Sequence, residues 1–377
     1  MPNPFSLSIA QGAHFCNRET EIQDLVRHAR SGNNVLLFSP RRYGKTSLVK
    51  KTLDLLAGEG FLTVYVDLFP IISERDMVSR LSSALFKGVG RGLNQQTLAG
   101  RLKDLFKRLI PIIEVKPDGY SVSMRFDQTS EPGALLEDLL EGLYRYVTQR
   151  GIRACVALDE FQEITELPES KRIEGLFRAH IQSHREVSYL FIGSRRRILQ
   201  EMFSDKGRAF YKSAFAYPLR EVPKDDFVRY IQTHFKQSRK VCPPAVAEDI
   251  YNRVRGYPYY VQKLASIAWD LTGEECNAQV VQSSYEVLIE METADFEATW
   301  SGLTLIQRTV LKALALEATA LPYSREFLER HRLTVGGTQR AVRMLISMDL
   351  VEKEPAPRYR LTDSVMSAWI ARWAQGL

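Results

Sequence analysis

Residues 36–48 read LLFSPRRYGKTSL. An apolar run enters a basic loop that ends in Gly-Lys-Thr, the spacing of GxxxxGK[ST]. In that pattern successive backbone N–H groups point inward and cradle phosphate oxygens. The helix that follows adds its positive end, about half a unit charge. Here the eight positions are Ser39-Pro40-Arg41-Arg42-Tyr43-Gly44-Lys45-Thr46, with serine where the pattern has its first glycine. Gly44 permits the tight turn, Lys45 has the reach for β- and γ-phosphates, and the Thr46 hydroxyl suits Mg²⁺. Serine is small enough to leave a strand here if its backbone angles are ordinary. The eight residues alone also fit a basic loop ahead of a helix, so they need partners.

The first partner is CVALDE, where four apolar residues precede Asp159 and Glu160. An Asp at that strand end can hold Mg²⁺ through water, and the following Glu can polarise an attacking water as general base. Taken alone, the two acids read equally well as caps of the next helix. A phosphate loop on a neighbouring strand favours the metal and base roles. The second partner is LFIGSR, which sets Ser194 and Arg195 at the end of another strand. Strand ends line the ligand crevice of a parallel sheet. Arg195 either meets a γ-phosphate and offsets charge in the transition state or forms a surface ion pair. Arg196 and Arg197 read as a solvated helix face. The third partner is RGYPYY: Gly256-Tyr257-Pro258 breaks a helical pattern. It is either a helix corner or a lid that lays Pro258 over a base, with Tyr257, Tyr259 and Tyr260 as packing residues.

These groups need a scaffold, and the chain supplies one in order. NNVLLF reads as a strand, TSLVKKTLDLLAGEG as a helix stopped by Gly58 and Gly60, and FLTVYVDL as a buried strand. Strand, loop, helix, strand is the opening of a parallel α/β sheet. A helical stretch is expected from Glu74 to Leu109. A hairpin follows at 112–126, turning at Asp118-Gly119 and inserted in the core. The helix at 131–151 precedes the acid strand. FAYPLREV, residues 215–222, reads as the last strand. From Lys224 to about Ala294 the pattern is helical throughout.

The last segment reads as three helices, 304–316, 324–331 and 334–350, and a wing at 351–363 with a Pro-Ala-Pro tip. That is a winged helix-turn-helix whose third helix is the recognition helix. Its expected exposed face carries Thr338, Gln339, Arg340 and Arg343, while Met344 and Met348 read as core gap fillers. Residues 301–377 hold eleven Lys+Arg against seven Asp+Glu, a net +4. A dedicated DNA reader shows a denser patch, so duplex DNA and a protein partner both remain open, as does a role in holding the lid shut.

Together NPF, FCNRETEI, SPRRYGKTSL, LDEFQE, GSR and GYP resemble, in that order, the STAND branch of the AAA+-like P-loop ATPases. They are most similar to its prokaryotic group called the archaeal ATPase family. The resemblance spans about residues 3–294. It implies an α/β P-loop NTPase fold: a three-layer core with five parallel strands, a helical lid and a C-terminal winged helix. It implies three domains: a core at 1–222, a lid at 223–298 and a winged helix-turn-helix at 299–377. It also implies ATP and Mg²⁺ as cofactors, ATP hydrolysis with slow turnover, and a molecular switch. The expected nucleotide contacts are Ser39, Arg42, Tyr43, Gly44, Lys45, Thr46 and Ser47, with Arg18 and Phe15 near the adenine and Pro258 in the lid. Ser39 and Asn17 stand where the family commonly has glycine, and neither removes a group that does chemistry. An origin-recognition-type initiator shares the winged helix. It usually has an asparagine at the sensor strand's end and an arginine in the lid, where this chain has Gly193-Ser194-Arg195 and Gly-Tyr-Pro. An ATP-bound DNA-binding regulator with little hydrolysis is the alternative function.

The bulk composition agrees with this reading. Of 377 residues, 45% are hydrophobic and 25% charged, a globular balance with little room for long disorder. A net charge of +6 with a pI near 9.0 permits contact with nucleic acid without requiring it. The four cysteines form no CxxC pair, which argues against zinc and redox motifs and fits a reducing cytoplasm. No apolar run reaches the roughly 20 residues that span a bilayer, so no membrane role is expected. A nucleotide-dependent homo-oligomer is a further expectation, with Arg41 and Arg42 acting in trans.

Overall fold

The computed structural model describes residues 2–5, 16–90, 106, 108–116, 119–126, 129–353 and 358–375. Phe15, the turn residue Asp118 and the Pro-Ala-Pro wing tip lie outside them. The chain forms two compact units: a sheet unit of residues 18–39 and 45–219, and a helical unit of residues 1–17, 40–44 and 220–377.

The sheet unit opens with helix α1 (Glu19–Arg30) and strand β1 (Val35–Phe38), all four of whose residues are buried. Helix α2 (Lys45–Gly58) and strand β2 (Leu62–Asp67) follow. Next come α3 (Glu74–Gly90), the hairpin β3 (Leu109–Lys116) and β4 (Gly119–Phe126), and α4 (Pro132–Arg150). Strand β5 (Ala154–Asp159) leads through a 3₁₀ turn at Phe161–Glu166 into α5 (Ser170–Ile181). Strand β6 (Val187–Gly193), α6 (Arg196–Ser204) and β7 (Phe215–Pro218) complete the unit. The five-stranded sheet runs β2-β5-β6-β1-β7, with every pair parallel. Apolar runs such as ACVALD and VSYLFIG are buried along their whole length, as expected for strands covered on both faces. Phe161, Phe177, Phe191, Phe203 and Phe210 fill the space beside β6.

Two expectations fail. The loop strand β1 and the acid strand β5 are not neighbours, because β6 lies between them. A single chain's apolar runs identify strands but not their order, since crossover connections permit either arrangement. The helical stretch expected to run to Leu109 is a helix over Glu74–Gly90, residues 91–105 of it lie outside the described residues, and Leu109 instead opens β3. β3 contains Pro111 among Ile110, Ile112 and Ile113, a composition that disfavours helix through the missing N–H and β-branching. The hairpin pairs Leu109 with Phe126 and Lys116 with Gly119.

The helical unit contains α7 (Lys224–Gln237), α8 (Pro244–Arg253), α9 (Pro258–Leu271) and α10 (Ala278–Ser301). Then come α11 (Leu305–Leu316), α12 (Arg325–Arg330), α13 (Val335–Ser347) and the wing strands β8 (Val351–Lys353) and β9 (Tyr359–Leu361). A final helix, α14 (Ser364–Gln375), goes beyond the expected elements. Asp363 caps it by accepting from the backbone N–H groups of Val365 and Met366. Helix α11 begins with a complete capping box of Thr304 and Gln307. The N-terminal Phe5 is buried in this unit, where its ring meets those of Tyr230, His234 and Phe235.

Cys242 and Cys276, distant in sequence, are brought together by a strand-like bridge at Val241 and Glu275. All four cysteines are buried and none forms a disulfide. Among the described residues no helix is long and apolar enough to cross a membrane.

Candidate phosphate and metal site

The sheet places the ends of β1, β6 and β5 side by side, so three short segments converge. The turn out of β1 departs from an ordinary conformation at two positions, Arg42 with φ 62° and Gly44 with φ 84°. Glycine adopts this left-handed region at no steric cost. For an arginine it costs about 1 kcal/mol, and such strain concentrates at functional loops. Ser39 does not share it, which explains why serine is accepted in place of the pattern's first glycine. Its side chain is buried and lies beside the ammonium of Lys45. Lys45 Nζ donates to the Ser39 carbonyl at 3.1 Å and lies 3.4 Å from the Ser39 hydroxyl.

The Thr46 hydroxyl, in the first turn of α2, donates to Asp159 Oδ2 at 2.9 Å. Tyr65, on the adjacent strand β2, donates to the same oxygen at 2.7 Å. The second oxygen, Oδ1, accepts from the backbone N–H of Glu160 at 3.0 Å. Burial pushes the Asp159 carboxyl up, and the hydrogen bonds from Tyr65 and Thr46 hold it down against that. The buried Asp159 carboxylate and the Thr46 hydroxyl beside it offer hard oxygen donors. Mg²⁺ suits such a site because it typically takes one or two carboxylates and completes its shell with water and phosphate. Among the described residues no cluster of three acid, histidine or cysteine side chains exists that would favour a different metal site.

Glu160 also has a left-handed backbone, φ 49°. Its Oε2 accepts from the Ser194 hydroxyl at 2.9 Å, from the Ser194 N–H at 3.3 Å, and from Gln162 Nε2. The carboxylate is thereby held between β5 and the end of β6. Gly193 makes this approach possible, since a Cβ there would lie 2.0 Å from Gln162 Oε1. That same Oε1 is buried and has no hydrogen-bond partner among the described residues.

Arg195 donates to Glu166 at 2.9 Å and lies 3.9 Å from Glu163. Of its two sequence readings, this geometry is the ion pair. Arg18 is buried, just ahead of α1, and pairs with Glu21 at 2.7 Å. Ser47 follows Thr46 in the first turn of α2.

The tip of the loop, Pro40–Gly44, belongs to the helical unit. There the Tyr43 ring stands edge-on to Tyr257 at 4.8 Å, and its hydroxyl donates to Glu221 at 3.2 Å. The Tyr257 hydroxyl donates to the Arg41 carbonyl at 2.5 Å. The Arg42 guanidinium lies 4.4 Å over the Tyr259 ring and 3.7 Å from the buried Glu292, which Lys263 also pairs. Tyr260 donates to Asp363 at 2.6 Å. The three tyrosines are therefore packing residues whose hydroxyls also make specific bonds. Pro258 is buried and opens α9.

In the winged segment, Gln339, Arg340 and Arg343 are exposed on α13. Thr338 is not: it is fully buried and its hydroxyl donates to the Thr334 carbonyl. The two methionines also depart from expectation. They are not core residues, with Met344 at 53% and Met348 at 46% exposure. Met344 lies one turn beyond Arg340 and Met348 one turn beyond Met344, so this side of the helix is basic and apolar at once.

Sequence reasoning misses Tyr65 and Gln162. Tyr65 has a signal, a polar ring inside the apolar run FLTVYVDL, two residues before an aspartate that itself pairs in register with Asp159. Gln162 has none, because its role comes from the 3₁₀ turn after Glu160.

A family model of an ATPase domain predominantly from Archaea matches residues 15–264, and one of a probable winged helix domain matches residues 294–372. No curated protein matches the chain. Among solved structures, the Walker-type ATPase PABY2304 of Pyrococcus abyssi aligns with 17% identity over 95% of this chain and 96% of that one, at TM-score 0.69. The Aeropyrum pernix ORC2 protein in its ADPNP–ADP complexes aligns with 15% identity over 96% of both chains, at TM-score 0.58. These likenesses are of fold: a P-loop ATPase sheet followed by a winged helix. By the match over residues 15–264, the chain belongs to the family of ATPase domains found predominantly in Archaea.

Proposed function

We propose that this protein binds Mg·ATP at the loop of residues 39–47 and hydrolyses it slowly as a nucleotide-dependent molecular switch. The observation that carries the reading is the convergence of Lys45, Thr46, Asp159 and Glu160 at one end of the sheet, with Thr46 and Glu160 bonded directly to Asp159. In this reading Lys45 neutralises phosphate charge, and Thr46 with Asp159 holds Mg²⁺, which would supply charge compensation on the phosphates. Glu160 orients and deprotonates the attacking water, and Ser194 and Gln162 fix its carboxylate. Arg195 reaches the γ-phosphate after release from Glu166 and Glu163. Ser39, Arg42, Tyr43, Gly44 and Ser47 complete the phosphate contacts, with Arg18 and Pro258 toward the base. The domains divide as core 1–222, lid 223–298 and winged helix 299–377.

The switch reading is supported by the loop tip. Arg41, Arg42 and Tyr43 bond to Tyr257, Tyr259, Glu292 and Glu221, so a phosphate-dependent change in the loop is felt directly by α9 and α10. The test is phosphate release from Mg·ATP by the full chain. Lys45→Ala is expected to lower it by about a hundredfold, the scale on which a preorganised charge acts on a transition state. Turnover by Lys45→Ala equal to the parent's would end the assignment.

The second reading is an ATP-bound DNA-binding regulator with little hydrolysis. Exposure of Gln339, Arg340 and Arg343 on α13 favours it. It requires duplex DNA affinity that falls steeply with salt. Arg340→Ala/Arg343→Ala should then show a shallower salt slope, by about one unit for each phosphate no longer neutralised. Fluorescence anisotropy across a salt series measures both. DNA affinity that ignores the double substitution removes this reading and leaves Met344 and Met348 to favour a protein partner.

A further inference from the structure

The sequence holds no CxxC pair, yet the helical unit assembles two cysteines from distant segments. Cys242 lies in the connection between α7 and α8, and Cys276 in the connection between α9 and α10. The two connections run parallel through a single bridge at Val241 and Glu275. The Val241 N–H donates to the Glu274 carbonyl at 2.8 Å, and the Cys276 N–H donates to the Val241 carbonyl at 2.9 Å. This register makes Cys242 and Cys276 the next facing pair. Side chains alternate along extended backbone, so both thiols lie on the side opposite Val241 and Glu275. The burial agrees: Val241 and Glu275 are exposed, while Cys242 and Cys276, one residue along, are buried. Neighbouring strands lie about 4.8 Å apart, within the roughly 4.4–6.8 Å between Cα atoms that a disulfide spans.

A cation stands beside the pair. Lys240 Nζ donates to the carbonyls of Trp269 and Thr272, each at 2.6 Å, and lies 4.0 Å over the Trp269 ring. Among the described residues no carboxylate pairs with it, so its charge is available to a thiolate. The Cys276 thiol is held below the ordinary thiol value by the Cys242 thiol next to it, by Thr272 and by the Lys240 charge, with burial acting against them. Cys242 is pushed up by Cys276 and by burial. The thiolate is the reacting form of cysteine. Cys276 is therefore the attacking sulfur and Cys242 the resolving one. Cys155 is the contrast: it is fully buried inside β5, and burial alone pushes it up to about 12.

We propose that Cys242 and Cys276 form a peroxide-sensitive dithiol that closes reversibly to an intramolecular disulfide. The Cys276 thiolate attacks one oxygen of the peroxide. The S–O bond forms, the O–O bond breaks, and the departing oxygen takes a proton and leaves as water or an alcohol. The Cys242 sulfur then attacks the sulfur of the resulting sulfenic acid. The S–S bond forms, the S–O bond breaks, and hydroxide leaves as water with the proton of Cys242. The two sulfurs give up two electrons and the peroxide accepts them. A dithiol reductant restores both thiols. The bond ties the α7–α8 connection to the α9–α10 connection and closes a ring that contains α8, α9 and the Gly256-Tyr257-Pro258 break.

The test uses the full chain without nucleotide, so its outcome is independent of hydrolysis. Reduced protein is treated with hydrogen peroxide, quenched, alkylated in denaturant and mapped by mass spectrometry without reduction. A peptide pair linked through Cys242 and Cys276 is expected, while Cys16 and Cys155 react at least about tenfold more slowly and are recovered alkylated. Dithiothreitol removes the link. In Cys242→Ser the second step is missing, so the sulfenic acid accumulates at Cys276 and dimedone traps it. Closing the ring reduces the freedom of the unfolded chain, so the oxidised parent melts higher than the reduced one by about 5 °C or more, and peroxide gives Cys242→Ser no such gain. Four cysteines that react at one common rate overturn the proposal. So does a disulfide that joins two chains instead of Cys242 to Cys276, or an oxidised parent that melts no higher than the reduced one.

Discussion

Glu160→Gln is expected to lower phosphate release from Mg·ATP by a factor of about 10² to 10⁴, the range for loss of a positioned general base. That is about 3–5 kcal/mol of transition-state stabilisation at 1.36 kcal/mol per tenfold. Nucleotide binding should survive. The substitution changes almost no volume, and the glutamine carbonyl can still accept from the Ser194 hydroxyl and N–H that now bond to Glu160 Oε2. The left-handed backbone at residue 160 is likewise unaffected, since neither side chain is β-branched. What disappears is the ability to take a proton. Single-turnover hydrolysis measured beside equilibrium ATP binding separates the two effects. Loss of both together would show that Glu160 shapes the site rather than activating water. Unchanged hydrolysis would assign the base to another group, and Glu163, whose carboxyl burial pushes up, is the nearest candidate on the same turn.

The chemistry is easier to read from the sequence than the geometry is. Lys45, Thr46, Asp159 and Glu160 stand out because each proposed role requires one residue type at a fixed distance from a strand end. Those distances are local, so one chain displays them. The order of the strands is not local. Nothing in VSYLFIG says that it inserts between the loop strand and the acid strand, yet this insertion puts Ser194 against Glu160. The same limit hides Tyr65, whose hydroxyl meets Asp159 only because β2 and β5 pair in register.

On α13 the period of 3.6 identifies a helix and a core face, but residue type is a poor guide to the outward side. Thr338 is polar and buried because its hydroxyl bonds to Thr334, while Met344 and Met348 are apolar and exposed. A threonine hydroxyl satisfied within its own helix removes the cost of burial. Helix α14 escapes sequence reasoning for a similar cause: RYRLTD continues an alternating strand pattern, which draws its cap, Asp363, into the wing.

Asp159→Asn should have opposite effects on stability and on function. The carboxyl of Asp159 is buried, and burial is the largest cause raising its pKa above the ordinary aspartate value of 3.8. A carboxyl whose folded pKa is raised contributes most to stability below the unfolded value, and that contribution is lost as pH rises through the folded one. At neutral pH without metal the ionised group therefore costs stability. Asparagine removes the charge and keeps the contacts: its carbonyl can accept from the Glu160 N–H, and its amide can donate to the hydroxyl oxygens of Thr46 and Tyr65. Metal-free Asp159→Asn should be more stable than the parent at neutral pH by about 1 kcal/mol, on the scale seen when imperfectly compensated buried charges are replaced. That corresponds to about 2–4 °C in melting temperature for a unit of this size. The gain should shrink as pH falls toward the ordinary aspartate range, where the parent's carboxyl is also neutral. With Mg·ATP the order reverses. The parent gains stability by mass action from ligand binding, whereas the variant has lost the charged oxygen donor that Mg²⁺ needs. Thermal melts of both proteins, with and without Mg·ATP across this pH range, give four curves whose order is fixed by the argument. A variant that melts below the parent in metal-free buffer would mean that the carboxylate is already compensated by Tyr65 and Thr46. An equal Mg·ATP shift in both proteins would place the metal elsewhere.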